Sequence, residues 1–291
     1  MFVSGFTFVR NAIKYDYPIQ EAILSIEPLC DQIIVAVGNS EDDTLDLIKS
    51  IPSNKIKIIE TIWDDSLREG GKVLAIETDK ALAAISNQAD WAIYIQGDEV
   101  MHEDGHARVL NTMKKHKDNA SVDGLLFDYQ HFYGSYDYIG KSTKWYRKEI
   151  RVVKPKHKIY SYRDAQGFRK EGNQKLNVIE SGAHIHHYGW VKDPRAQQLK
   201  QESFHKMWHD DQWMETHVAK TNEFDYSAID LLERFKGKHP EVMQARVDRI
   251  NWKFDHDPSR NKLKFKDKLK FLCLRLFGFL PGEYQNYKVI K

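Results

Sequence analysis

The 291-residue chain balances 44 Lys and Arg against 42 Asp and Glu, a formal net charge of +2. That excludes the strong basic excess of a general nucleic-acid binder, and no nucleic-acid partner is expected. With 41% hydrophobic and 30% charged residues, the chain is an ordinary globular one, long enough for one large domain or a core domain with an extension. Cys30 and Cys273, each among apolar neighbours, do not make a disulfide framework or a cysteine zinc site and read as buried thiols in a reducing compartment. "MFVSGFTFVRN" has no basic stretch leading into a long apolar one, so no signal peptide is expected. Nor does any run approach the ~18 apolar residues of a bilayer span. A cytoplasmic protein is expected, with any membrane contact peripheral at the inner face.

Taken in chain order, "GFTFVRN" reads as a strand. "YPIQEAILSIEPL" places Ile19, Ala22, Ile23 and Ile26 on one helical face, with Pro18 near the start. "DQIIVAVG" is a β-branched run typical of a parallel strand covered on both faces. "SEDDTLDLIKSI" is an acidic helix start, "KIKIIET" a strand, "GGKVLAIETDKALAAIS" a helix and "WAIYIQ" a buried strand. This alternation predicts an α/β fold, a mostly parallel sheet flanked by helices. Ligands of such sheets bind outside the carboxyl ends of the strands, where Arg10 and Asn11, Gly38 to Asp43, and Gln96 to Glu99 fall. Further on, "HEDGHARVLNTMKKHKD" reads as a helix, "VDGLLFDYQHFYGS" as a strand entering an aromatic loop, and "KEIRVVK", "HKIYSYRDAQGFRK" and "GAHIHHYGWV" as strands with turns. From Pro194 to about Asp248 the pattern is mostly helical, and "NKLKFKDKLKFLCLRLFGFLPG" is basic and amphipathic. Without repeat or linker, the expectation is a catalytic domain over residues 1–192 and a helical C-terminal extension over 193–291 packed on it.

Several residues could carry chemistry. Asp98 and Glu99 follow a buried strand, and carboxylates there suit Mg²⁺ or Mn²⁺ held largely by a ligand's phosphates, or else an acidic turn. Asp42 and Asp43 precede a helix start, where acids are favoured by capping and the dipole. Lys72, after Gly70 and Gly71, could meet a diphosphate together with backbone N–H groups, or sit on a plain surface loop. His184 and His186 share one strand face, and His187 points to the other. Tyr133 and Trp145 could form a sugar platform or pack in the core. Lys262, Lys264, Lys266, Lys268 and Lys270, interleaved with Leu263, Phe265, Leu269, Phe271 and Leu272, allow contact of residues 262–280 with an anionic membrane.

Over roughly residues 4–192 the chain resembles a family-2 glycosyltransferase of the GT-A (Rossmann-like) fold. "FVRNAIKYDYPIQEAILSI" is similar to that family's opening strand, asparagine and helix. "VGNSEDDT" stands where the family has an aspartate pair followed by Gly-Ser-x-Asp-x-Thr. "WAIYIQGDEV" resembles the strand ending in its Asp-x-Asp motif, and "HIHHYGWV" its late His-Tyr-Gly segment. Val37 and Gly38 replace the aspartate that usually contacts the base, and Gln96 replaces the first acid of Asp-x-Asp. The resemblance implies a hexosyltransferase-like enzyme that moves sugar from a nucleotide-diphospho-sugar to a glycan or lipid-linked acceptor. Such transfer is inverting, assisted by a divalent cation (Mn²⁺ or Mg²⁺), and used in polysaccharide biosynthesis. It places Asp98, with Glu99 and His187, at the metal, and Asn11, Asp42, Lys72 and Gln96 at the nucleotide. A general base must take the acceptor proton; Asp164 is the choice, with Asp137 and Glu149 as alternatives. A nucleotidyltransferase, or a non-catalytic nucleotide- or sugar-binding module, is the rival reading.

Overall fold

The computed structural model describes residues 1–218, 221–229, 231–261 and 265–290. Its first half follows the alternation: β1 (Val3–Val9), α1 (Ile19–Ile26), β2 (Gln32–Gly38), α2 (Thr44–Lys49), β3 (Ile56–Thr61), α3 (Lys72–Ala83) and β4 (Trp91–Tyr94). These strands lie in the order β3-β2-β1-β4 and pair in parallel. Successive side chains alternate between faces. On one face Val3, Val9, Ile33, Val35 and Ile93 meet Ile19, Ala22, Ile23 and Ile26 of α1. On the other, Phe6, Ile34, Ala36 and Tyr94 pack with Ala81 and Leu82 of α3. The four α1 residues share one stripe and are all fully buried, so Ile23→Ala would cost about 2–5 kcal/mol.

The second half is a mixed extension of the same sheet. After β5 (Glu99–Met101) and α4 (His106–His116) come β6 (Gly124–Tyr133), β7 (Ser135–Gly140), β8 (Lys148–Val153), β9 (Ile159–Tyr162), β10 (Gly167–Lys170) and the long β11 (Gln174–Trp190). β8 joins antiparallel between β4 and β6, and β11 runs parallel to β6. The short β5 pairs antiparallel with β11, setting Glu99 opposite His187. The two motifs singled out by sequence, "GDEV" and "HIHHYG", are therefore side-by-side strands.

Beyond α5 (Pro194–Lys206) and α6 (Asp211–His217) the chain is less helical than its pattern suggests. It adds β12 (Leu232–Arg234) to β7, then α7 (Gln244–Asp248), α8 (Phe265–Phe277), and finally β13 (Tyr287–Val289), which pairs with β11. The C-terminal segment thus contributes two strands to the sheet as well as helices. Cys30 is buried as expected, but Cys273 on α8 is only half-buried, and both are free thiols. Lys262, Leu263 and Lys264 lie outside the described residues. No helix among the described residues is long and apolar enough to cross a membrane.

Candidate active site

The carboxyl ends of β1 and β4, with the second half of α5 above them, enclose a cleft of about 870 Å³. Asn11, just past β1, takes a left-handed conformation (φ 55°). Its Oδ1 accepts from the Glu41 N–H at 2.7 Å, and its own N–H donates to Ser40 Oγ at 3.0 Å. Asn11 thereby ties the loop after β1 to the loop after β2, and it lines the cleft. Asp42 does not. Its carboxylate accepts from the Lys14 N–H at 2.7 Å and from the Thr44 N–H at 3.1 Å, bracing the same two loops from behind. At Gly38, which with Val37 stands where the resemblance would put a base-contacting aspartate, a Cβ would lie 2.4 Å from Trp63 Nε1. The Trp63 ring occupies that place and lines the cleft, with the Arg10 guanidinium 5.5 Å from the ring centroid.

Asp98 stands on the cleft floor. Its backbone carbonyl accepts from the Tyr188 N–H at 2.7 Å. Its Oδ2 accepts from Lys200 Nζ at 2.9 Å, and its Oδ1 lies 3.8 Å from His187 Nε2. Burial alone would raise this carboxyl, but Lys200 foremost, with His187 and Lys192, holds it well below the usual carboxylate range. Lys200 also donates to the Gly189 carbonyl at 2.9 Å. A Cβ on Gly189 would sit 2.6 Å from His187 Cε1 and 2.7 Å from Asp98 Oδ2. Glycine after Tyr188 is what leaves room for both side chains.

The hydrogen-bond chain behind His187 fixes its tautomer. His131 Nε2 contacts the Tyr146 carbonyl at 2.7 Å, so that nitrogen must carry the proton and donate. His131 Nδ1 is then the acceptor for His187 Nδ1–H at 3.2 Å. The lone pair of His187 is thereby left on Nε2, facing Asp98. Burial keeps both rings neutral, lowering His131 to about 3 and His187 to about 4. A carboxylate oxygen beside an unprotonated imidazole nitrogen, oriented by a second histidine, suits a divalent cation. Among the described residues no third carboxylate, histidine or cysteine joins them. The two would therefore hold such an ion only in company with a ligand's own oxygens, as Mg²⁺-type sites do.

Glu99, expected at the metal, does not line the cleft. Arg151 grips it with Nε and Nη2, both at 2.7 Å; the Tyr129 hydroxyl donates to it at 2.8 Å and the Gln96 N–H at 3.2 Å. Both partners of this ion pair are fully buried, so Glu99 is a structural anchor and not a cleft ligand. Arg151 also donates to the Gln166 carbonyl at 2.9 Å, and Gln96 Nε2 donates to the Ala165 carbonyl at 3.0 Å. Together they hold the turn that carries Asp164, which is flanked by two left-handed residues, Arg163 (φ 58°) and Ala165 (φ 63°). Non-glycine residues in that region store strain that surrounding structure must hold. Gln96 and Asp164 both line the cleft, and burial raises the Asp164 carboxyl.

The alternatives to Asp164 are placed elsewhere. Asp137 is exposed at β7, and Glu149 is buried behind the cleft wall, pushed up to about 8 by burial. Lys72 is exposed at the first position of α3, outside the cleft lining. Tyr133 is buried against Trp190, Tyr226 and Phe254 and does not reach the cleft. Trp145 does line it, stacked 4.9 Å from His131. Sequence reasoning missed Lys200, His131 and Trp63. The first two lie mid-element, on α5 and β6, with no local motif to mark them. Trp63 had one signal: the missing acid at Gly38 left a space that something large had to fill.

No family model and no curated protein matches the chain. Among solved structures it is similar to TarS of S. aureus, with a TM-score of 0.43 and 13% identity over 69% of this chain and 38% of that one. A 4-diphosphocytidyl-2C-methyl-D-erythritol synthase from Anaerococcus prevotii gives 0.37 and 13% over 66% of this chain and 91% of that one. The Mycobacterium tuberculosis glucosyl-3-phosphoglycerate synthase with Mn²⁺, UDP and glucosyl-3-phosphoglycerate gives 0.30 and 20% over 46% and 45%. The chain thus spans little more than a third of the length of TarS. These similarities fall on an α/β architecture, a mostly parallel sheet flanked by helices.

Proposed function

We propose that the chain is a glycosyltransferase that moves a sugar from a nucleotide-diphospho-sugar to a hydroxyl of a glycan or lipid-linked acceptor, with inversion. The observation that carries this reading is the Asp98–His187–Lys200 cluster at the strand-end edge of the sheet. An ionised carboxylate, an imidazole lone pair and an ammonium meet there on one cleft floor. Asp98 and His187 would hold Mn²⁺ or Mg²⁺, which supplies positive charge to a departing diphosphate. Lys200 lies on the same carboxylate and would offer its own N–H donors to the diphosphate oxygens. Asn11 shapes the loop under the nucleotide, and Trp63 with Arg10 would take the base in place of the missing aspartate. Trp145 offers an apolar face to a pyranose ring.

In the transfer, the acceptor oxygen forms a bond to the anomeric carbon while the bond from that carbon to the diphosphate oxygen breaks. The acceptor proton passes to Asp164, whose raised pKa makes it a better base than an ordinary surface carboxylate. The nucleoside diphosphate leaves with the electron pair.

The test is turnover of a panel of nucleotide sugars, with Mn²⁺ and mixed glycan acceptors, by wild type and Asp164→Asn. The expected result is release of nucleoside diphosphate, with kcat lowered on the order of 10²–10⁴-fold in the variant and nucleotide binding retained. Release of pyrophosphate from a nucleoside triphosphate would support a nucleotidyltransferase instead. Binding without any turnover would support a non-catalytic module.

A further inference from the structure

Helix α8 shows an apolar face that no other part of the described chain covers. Phe265, Leu269, Leu272 and Leu276 follow a 4-3-4 spacing, so they form one line along the helix. They are 83%, 54%, 49% and 63% exposed, and Phe277 and Phe279 extend the patch, both more than half exposed. The helix is held by its opposite side, where Phe271 and Leu274 are half-buried and Asp267 accepts from Thr143 Oγ1 at 2.9 Å. The outward line is therefore not a core stripe that has missed its partner. It points away from the surface on which the helix rests.

Charge decides what fits it. At 100° per residue Lys266 and Lys270 flank the line on one side, and Lys268 and Arg275 on the other. None of the four forms an ion pair among the described residues, and the one acid of the helix, Asp267, is on the protein-facing side. A second copy of the chain would set the same cations against each other, which costs free energy. An apolar strip between two rows of cations matches the boundary of an anionic bilayer, where the strip enters the acyl region and the cations meet headgroups. We infer that α8 is an in-plane docking helix by which the protein sits on the surface of an anionic lipid bilayer. Thr143 ties it to the segment carrying Trp145 and Tyr146, both in the cleft lining, so docking sets the cleft close to the membrane surface. The inference stands on the helix itself and not on the transferase reading.

The test is co-sedimentation of the full chain with phosphatidylcholine vesicles, with and without phosphatidylglycerol. Light scattering of the protein alone is measured in parallel. The expected result is binding to the anionic vesicles only, weakened by added salt. The triple variant K266Q/K268Q/R275Q should lower partitioning on the order of 100-fold, a factor of about 5 for each charge. Leu272→Ser with Leu276→Ser should abolish it, with Tm unchanged because these side chains are exposed. Absence of binding to anionic vesicles would overturn the inference. So would a wild-type dimer that the two serine substitutions dissociate, since a second copy would then be what covers the face. Nucleotide-sugar turnover plays no part in either readout.

Discussion

Asp98 and Glu99 are consecutive acids where a turn enters β5, and the molecule uses them in opposite ways. Asp98 faces the cleft beside His187 and Lys200, ionised and within reach of a ligand. Glu99, opposite His187 in the sheet, turns into the protein and is sealed against Arg151 with no exposed surface. The step from turn to strand separates them: Asp98 lies in the turn before β5, whereas Glu99 is the first residue of β5 and is paired with β11. The partners distinguish them: an ammonium and an imidazole on the cleft floor for Asp98, a buried guanidinium for Glu99.

Substitutions should separate the two roles. The largest effect is expected for Asp98→Ala: transfer falls on the order of 10³-fold, while far-UV circular dichroism keeps the wild-type spectrum. Equal loss of activity and of fold would erase the contrast between the two acids. Next, Glu99→Ala leaves Arg151 buried and unpaired, which should cost roughly 3–5 kcal/mol of stability in urea unfolding. A Glu99 variant of wild-type stability but without metal-dependent binding would reverse the assignment.

The acid side of the pH profile probes the cleft histidines. His187 drops from an ordinary 6.5 to about 4 in the folded chain, so between those values the unfolded chain binds the proton and the folded one does not. Stability therefore rises with pH across that window and is lost as pH falls from 6.5 towards 4, by up to about 3 kcal/mol. His187→Gln should flatten the slope. Asp98, held low, contributes stability that is lost only below the usual carboxylate range. Smaller effects follow at the rim. Lys200→Met should lower kcat by about 10²-fold, and Trp145→Ala should raise an acceptor KM by about 10-fold. Tyr133→Ala should instead act on stability, because its ring is packed in the core.

The parallel half of the fold was legible because its signals are local. A 3.6-residue stripe over Ile19 to Ile26 and a β-branched run over Ile33 to Val37 each state their own structure. Asp98 was legible for the same reason, as an acid following an apolar strand, whereas His187 was singled out only through the resemblance of "HIHHYGWV". What local reading could not supply is register and direction. It did not show that β5 pairs with β11, which is what brings Asp98 to His187, nor that Arg151 and Tyr129 would draw Glu99 inward. Nor did it show that Lys200, two turns into α5, reaches back to the same carboxylate. Tyr133 and Trp145 looked alike as aromatic residues in one region, and only packing sends one to the core and the other to the cleft. In the C-terminal segment β12 and β13 were invisible because three-residue strands carry too little pattern to declare themselves.

The most direct measurement is thermal-shift screening against UDP-, GDP-, CMP- and dTDP-sugars, with and without Mn²⁺, for wild type and Asp98→Ala. A ligand present at ~100 times its Kd stabilises by about 2.7 kcal/mol, which is readily seen as a rise in Tm. The predicted result is a shift that needs both the metal and one nucleotide class and that disappears in Asp98→Ala. No shift with any nucleotide, or a shift that Asp98→Ala leaves intact, would contradict a nucleotide-diphosphate site on the Asp98 face.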